Sequence, residues 1–257
     1  MLKWRRPLWW QELLLIAIGY AVYTETRNHL HGQEDVALDH GYDIQHWQDV
    51  LHLNFERSLN TFVARNEWLA QAMDYFYATM HFIVTIWVLV WLFRKRPHLY
   101  RGARTVLIST TLIGLAVFYL YPLAPPRLLP NSGYVDTLSL FHTWGSLADP
   151  KVAEHSNQFA AMPSLHTAWA LWAALSVFFC ARHLWIRLVA LLHPVITVIV
   201  IMSTANHYIF DAVGGVGVLA LGFAVQRLFS GHGAYAPPLG SPGLTAEGEA
   251  LEAHVVV

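Results

Sequence analysis

The chain of 257 residues is 55% hydrophobic and 14% aromatic, yet only 13% charged, with a net charge of −1. Soluble domains carry about 25% charged residues, so this balance reads as an integral membrane protein. It leaves nucleic-acid binding without electrostatic support, and a single cysteine, Cys180, excludes an internal disulfide or a multi-cysteine metal site.

The first apolar run, Trp9–Tyr23, follows Lys3, Arg5 and Arg6 and carries Glu12. Its positive start is like that of a signal peptide, but no small-x-small cleavage site follows, so a retained first span is expected. Between Asp43 and Ala64 the residues Ile44, Trp47, Leu51, Phe55, Leu59 and Phe62 recur every three or four positions. That period predicts a helix with one apolar stripe, lying flat on the outer leaflet or packed across the tops of the spans. Further spans are expected at Trp68–Phe93, Thr105–Tyr121, Ser164–Ala181, Leu184–Thr204 and Tyr208–Phe229, since crossing a bilayer takes about 20 helical residues. The stretch from Pro122 to Ala161 is too broken by PLAPPRLLP and NSG for one helix, and ordered loops of such length are usually functional. Beyond Ser230 the apolar period gives way to Gly, Pro and Glu, the composition of a disordered cytoplasmic tail.

The predicted fold class is therefore all-α: an integral membrane six-helix bundle with an outer-face interfacial amphipathic helix. Its parts are an N-terminal span and outer loop (1–41), the interfacial helix (42–67), a catalytic bundle (68–229) and the tail (230–257). Basic residues collect in cytoplasmic loops. Lys3, Arg5 and Arg6, then Arg94, Lys95, Arg96, Arg101 and Arg104, then Arg182 and Arg187 all fall on one side of six spans. This agreement gives a multi-pass cell-membrane protein with both termini inside.

The stretch from Ala160 to Gly215 holds three candidate catalytic groups, His166, His207 and Asp211. His207 and Asp211 are four apart, so on a helix they share a face. A carboxylate beside an imidazole fixes its tautomer and strengthens the free nitrogen as a nucleophile or base. In the six-span arrangement these groups and Arg127 all lie at the outer ends of their helices. Pro163 and Ser164 before His166 suit a helix N-terminus, which is an anion site, and Arg127 supplies a forked clamp for phosphate oxygens. The chemistry these parts suggest is transfer through a phosphohistidine: His207 attacks phosphorus, Asp211 orients it, and His166 protonates the leaving oxygen and then deprotonates the acceptor. It calls for no metal and no cofactor, because Arg127 and the helix N-terminus can neutralise the developing charge. Asp74 and His81, with Tyr77 near them, share one helical face and are possible pocket-lining groups. His193 precedes Pro194 and is expected to satisfy a backbone group freed by the proline, while His142 and His155 belong to the outer loop.

PSLH at 163–166, followed by NHYIFDAVGG at 206–215, resembles the paired motifs of the type 2 phosphatidic acid phosphatase superfamily, whose usual forms are PSGH and a Ser-Arg stretch ending in His, three residues, Asp. It is more similar still to the branch related to fungal inositol phosphorylceramide synthase, a six-helix membrane bundle with PSLH-type and HYxxD-type sequences. That branch tends to carry a Pro-Pro-Arg element, matched here by Ala124 to Arg127, and the resemblance spans roughly Trp68 to Phe229. It implies that His207 is the nucleophile, Asp211 its partner and His166 the acid/base. Two departures stand out: Ile201 occupies the place of the superfamily's arginine, and APPR replaces its lysine-containing first motif. Phosphate binding is then left to Arg127, Ser164 and backbone groups, with Asn206 as a further contact. Loss of that arginine is typical of the synthase-like branch and favours a membrane phospholipid donor with an alcohol such as inositol as acceptor over hydrolysis by water. A haem-binding membrane protein and a non-catalytic transporter are the alternatives of another class.

Overall fold

A computed structural model of the chain describes residues 8–29, 33–53, 55–143 and 158–236. Lys3, Arg5, Arg6, His155 and the expected tail from residue 237 onward lie outside the described residues. The described chain is helical: α1 (Trp9–His29), α2 (Glu34–Val50), α3 (Phe55–Ala64), α4 (Glu67–Lys95), α5 (Pro97–Leu120), a 3-10 turn at Pro126–Leu128, α6 (Thr137–Leu140), α7 (Leu165–Cys180), α8 (Leu184–Ala190), α9 (Leu192–Ser203) and α10 (Ile209–Ser230). Among the described residues four stretches are long and apolar enough to cross a membrane, namely α4, α5, Leu184–Ser203 and α10, against the six spans expected; α7 is apolar but shorter.

Helices surrounded by lipid gain little from the hydrophobic effect against one another, so close backbone approach between small residues matters more. α10 packs most extensively on α5, then on α7. The contact with α5 depends on Gly222, where a Cβ would collide with Thr110 and approach the Val106 carbonyl oxygen at 3.0 Å. Trp172, fully buried on α7, donates its indole N–H to the Ala103 carbonyl (2.8 Å) and ties α7 to α5. α1 is held to α5 by Glu12, which accepts from the Tyr100 hydroxyl (2.8 Å) and pairs with Arg104. An acid in an apolar run is costly unless paired, and these partners account for the one in the first run.

The segment expected as one amphipathic helix forms two. α2 ends at Val50, and His52 adopts a positive φ of 56° before α3 begins. The break lets α3 turn its polar residues Glu56 and Asn60 inward, both wholly buried, while Phe55 and Phe62 face outward. α2 clamps the loop after α5: the Ala124 N–H donates to the Ala37 carbonyl (2.9 Å), and His40 Nδ1 lies 2.8 Å from the Pro122 carbonyl oxygen. Gly41 makes room for this contact: a Cβ would crowd the Leu129 side chain at 2.7 Å, the Ala124 carbonyl oxygen at 3.2 Å and the Tyr208 hydroxyl at 3.3 Å. One end of the bundle thus gathers the starts of α4, α7 and α10 with the ends of α5 and α9. The turns carrying Lys95, Arg96, Arg182 and His183 meet at the other end, where Arg96 Nε donates to the Cys180 carbonyl (3.3 Å).

Candidate active site

Two helix N-termini are brought face to face. Ser164 caps α7, its Oγ accepting from the Thr167 N–H (3.3 Å), the usual role of serine at a helix start. Its own N–H donates to the Asp211 carbonyl in the first turn of α10 (2.9 Å). Only glycine permits this approach at Gly215, where a Cβ would sit 2.5 Å from the Ser164 carbonyl oxygen, while one at Gly214 would crowd Pro163 at 3.3 Å. The paired glycines that end NHYIFDAVGG are therefore the packing condition for the histidines.

His207 Nδ1 lies 2.9 Å from the Ala161 carbonyl oxygen and 3.2 Å from Asp211 Oδ2. Both neighbours can only accept, so Nδ1 carries the proton and Nε2 keeps its lone pair. That lone pair points at His166 Nδ1, 3.4 Å away. In this tautomer any proton between the two rings belongs to His166. Asp211 is wholly buried, and its Oδ2 also accepts the Tyr208 N–H (2.9 Å), closing the N-terminus of α10. Its Oδ1 has no hydrogen-bond partner among the described residues. A buried carboxylate so placed stabilises positive charge on His207, whether from a proton or from a bond to phosphorus.

α4 supplies the wall. Tyr77 stacks on His166 with ring centroids 4.4 Å apart, and His81 meets the same ring edge-on at 4.2 Å. His81 Nδ1 lies 3.0 Å from the Tyr77 carbonyl oxygen, which fixes its proton on Nδ1 and leaves Nε2 as an acceptor. Tyr77, His81, His166 and Ile201 line one narrow seam with no room for a water molecule. Ile201, in the place of the superfamily's arginine, is completely buried against that seam. Phosphorus in line between a nucleophile and a proton donor needs about 3 Å to the attacking atom alone, so substrate entry must part His166 from His207.

Arg127 reaches the site from the loop. Its Nε donates to Asn206 Oδ1 (2.8 Å), its Nη1 faces Asp136 Oδ2 (3.5 Å), and its side chain is 7% exposed. Asn206 is itself held by Thr204, donating Nδ2 to that residue's Oγ1 (2.8 Å). In this structure it orients Arg127, whose backbone N–H also donates to the Ala205 carbonyl (3.0 Å), and its polar atoms are engaged in doing so. Asp74 also lies away from the seam: it is fully buried and accepts from Thr137 (2.8 Å) and Thr143 (3.1 Å) of the loop. It anchors the segment that delivers Arg127. Asp74→Ala should leave both threonines without this partner, lowering thermal stability by about 1–3 kcal/mol and raising KM more than it lowers kcat, as melting curves and steady-state kinetics would read. His142 is exposed, and His193 Nε2 is buried with no hydrogen-bond partner among the described residues.

Glu56 is the group that sequence reading missed. It is 0% exposed; its Oε1 accepts the Ile209 N–H at the first residue of α10 (2.6 Å) and the Gln48 amide (3.1 Å). Burial pushes its carboxyl up to about 7, with the nearby Asp211 charge adding to the rise and the bonds from Ile209 and Gln48 opposing it. Burial likewise raises the phenol of Tyr134, whose hydroxyl lies 3.5 Å from Glu56 Oε2. Asn60, one turn on, bonds the Ser203 carbonyl (2.8 Å) and both polar groups of the Val135 backbone. The available signal was the spacing of Glu56 and Asn60 opposite the apolar stripe. Among the described residues no group of three His, Cys, Asp or Glu side chains is arranged to hold a metal ion.

A stretch of 147 residues is 29% identical to the phosphoinositol dihydroceramide synthase of Bacteroides thetaiotaomicron, covering 51% of this chain and 47% of that protein. The matched part thus spans about half the length of this curated relative. No solved structure matches the chain. The family model described as the PAP2 superfamily matches residues 42–225, which take in Glu56, Arg127, His166, His207 and Asp211. The chain belongs to the PAP2 superfamily, a superfamily of phosphatases and phosphotransferases.

Proposed function

We propose that the protein is a membrane phosphotransferase that moves the phosphate of a lipid phosphate ester, alone or with its head group, to an alcohol through a covalent phosphohistidine. The observation that carries this reading is His207 Nε2, unprotonated, 3.4 Å from His166 Nδ1, with Asp211 behind Nδ1. In the first step the Nε2 lone pair attacks phosphorus, the P–N bond forms, and the P–O bond to the lipid breaks as His166 gives its proton to the departing oxygen. In the second, His166 removes the proton of the acceptor hydroxyl, whose oxygen attacks phosphorus while the P–N bond breaks. Arg127, Ser164 and the N–H groups at the start of α7 meet the phosphate oxygens.

Transfer is favoured over hydrolysis because the relative's printed name, phosphoinositol dihydroceramide synthase, is that of a synthase. Arg96 and Arg182 lie at the end of the bundle opposite His207, which favours an active site on the outer face of a cell membrane. The haem reading loses support, because paired haem ligands need histidines near the centres of facing spans, whereas His166 lies in the first turn of α7 and His207 just before α10.

The test is incubation of the purified protein with a panel of radiolabelled phospholipids, followed by acid quench and by neutral or alkaline work-up of parallel samples. Acid-labile, alkali-stable label on a histidine-containing peptide is expected, absent from His207→Ala. Added inositol or a ceramide should divert label from inorganic phosphate into a new ester. Label that persists in His207→Ala would overturn the assignment of the nucleophile, and release as phosphate whatever the alcohol would make the protein a phosphatase.

A further inference from the structure

At the end of the bundle opposite His207, a groove of about 460 Å³ opens between α4, α7 and α8. Its walls are Trp87, Trp91, Val177 and Ile186, and its rim is Lys95, Arg96, Arg182 and His183. The volume falls within the range of small-molecule and lipid sites, about 300–1,000 Å³. Trp87 and Trp91 present parallel rings, 6.2 Å between centroids and 2° between planes, and Trp87 is 60% exposed.

The basic rim comes from two separate turns, α4 to α5 and α7 to α8, which converge on this groove. The tendency of cytoplasmic loops to be basic explains why cations sit at this end, but not why these gather over one apolar slot while Arg94 and Arg101 lie outside it. Nor are they neutralised: among the described residues none of Lys95, Arg96 and Arg182 pairs with a carboxylate, whereas Arg104 pairs with Glu12 and Arg127 with Asp136. Arg96 is held by its bond from Nε to the Cys180 carbonyl, which leaves its terminal nitrogens as fixed donors at the mouth. An apolar trough with an unpaired cationic mouth, at the depth of lipid head groups, has the chemistry of an anionic phospholipid site.

We propose that this groove binds an anionic phospholipid, with its phosphate among Lys95, Arg96, Arg182 and His183 and an acyl chain along Trp87 and Trp91. The aromatic wall selects the lipid over free phosphate, and the cations select an anionic head group over a zwitterionic one. The site is distinct from the catalytic end and does not depend on the chemistry of His207.

Native mass spectrometry of the full chain, exchanged into mixed micelles with equal phosphatidylglycerol and phosphatidylcholine, reads the retained lipid directly. The measurement is made on His207→Gln, which keeps an N–H donor to Asp211, so that turnover does not consume bound lipid. Retention of phosphatidylglycerol about tenfold over phosphatidylcholine is expected, falling to near parity in Lys95→Gln/Arg182→Gln. The matched pair Arg94→Gln/Arg101→Gln, which removes equal charge at the same end but outside the groove, should keep the preference. Equal retention of both lipids, or the same loss in both double variants, would overturn the proposal. So would displacement of the retained lipid by millimolar inorganic phosphate, which would mark a simple anion site. Trp87→Ala should lower retention of long-chain phosphatidylglycerol but not of its short-chain analogue, and an equal effect on both would remove the acyl chain from that wall.

Discussion

His207→Ala is expected to lower phosphate transfer by about 10⁴-fold or more, because removal of a covalent nucleophile costs more than loss of any one supporting contact. The alanine variant also leaves the Asp211 carboxylate buried without its imidazole, which destabilises the fold. His207→Gln, which restores an N–H donor without a nucleophilic nitrogen, separates the two effects: it should melt close to the parent and remain inactive. His166→Ala should behave differently according to the leaving group. A lipid alkoxide must be protonated as it departs, so the loss there should be about 10²–10⁴-fold. An aryl phosphate leaves as a stable phenolate, and its first step should slow far less. If His166→Ala loses equally on both esters, its role is to position His207, and the acid lies elsewhere.

Four of the six expected spans, the pairing of His207 with Asp211 and the meeting of both with His166 were legible because they follow from local rules: apolar run length, helical spacing, and an even number of helices between the motifs. The division of the expected amphipathic segment was not legible. Its stripe of Trp47, Leu51, Phe55 and Phe62 runs unbroken across the turn at His52, and those residues do face outward. Periodicity reports which face is apolar and is blind to a kink that preserves the face. The roles of Asp74 and Asn206 escaped for another reason. Each looks like a substrate contact in sequence, yet its partners, Thr137 and Thr143 for one and Arg127 for the other, come from a loop whose path only tertiary packing decides. Gly214 and Gly215 close the motif, and their physical reason is the nearness of the Ser164 carbonyl and the Pro163 ring.

Glu56→Gln should move stability and activity in opposite directions, which a merely structural side chain would not do. Burial raises the Glu56 carboxyl from 4.5 to about 7, so the folded state holds its proton more tightly than the unfolded chain. The stabilising contribution is fully present below about 4.5, the unfolded value, and is lost as pH rises through about 7. The total is roughly 3 kcal/mol for a shift of this size. A neutral glutamine does not titrate, so the variant should be the more stable of the two at pH 8 and lose that advantage by pH 5. The Gln48 Oε1 atom, buried without a partner among the described residues, can receive the new amide N–H. Activity should run the other way. Ionised Glu56 makes a charge-assisted bond to the Ile209 N–H at the start of the helix carrying Asp211, and its charge adds to that of Asp211 behind His207. The Tyr134 hydroxyl and the Gln48 amide face it from the other sides. Parent kcat should therefore rise through an inflection near pH 7, and Glu56→Gln should lack that inflection and fall about tenfold below the parent at pH 8. An unchanged pH profile in the variant, or a loss of stability together with activity at pH 8, would show that Glu56 fills space and holds α10 without tuning the histidine.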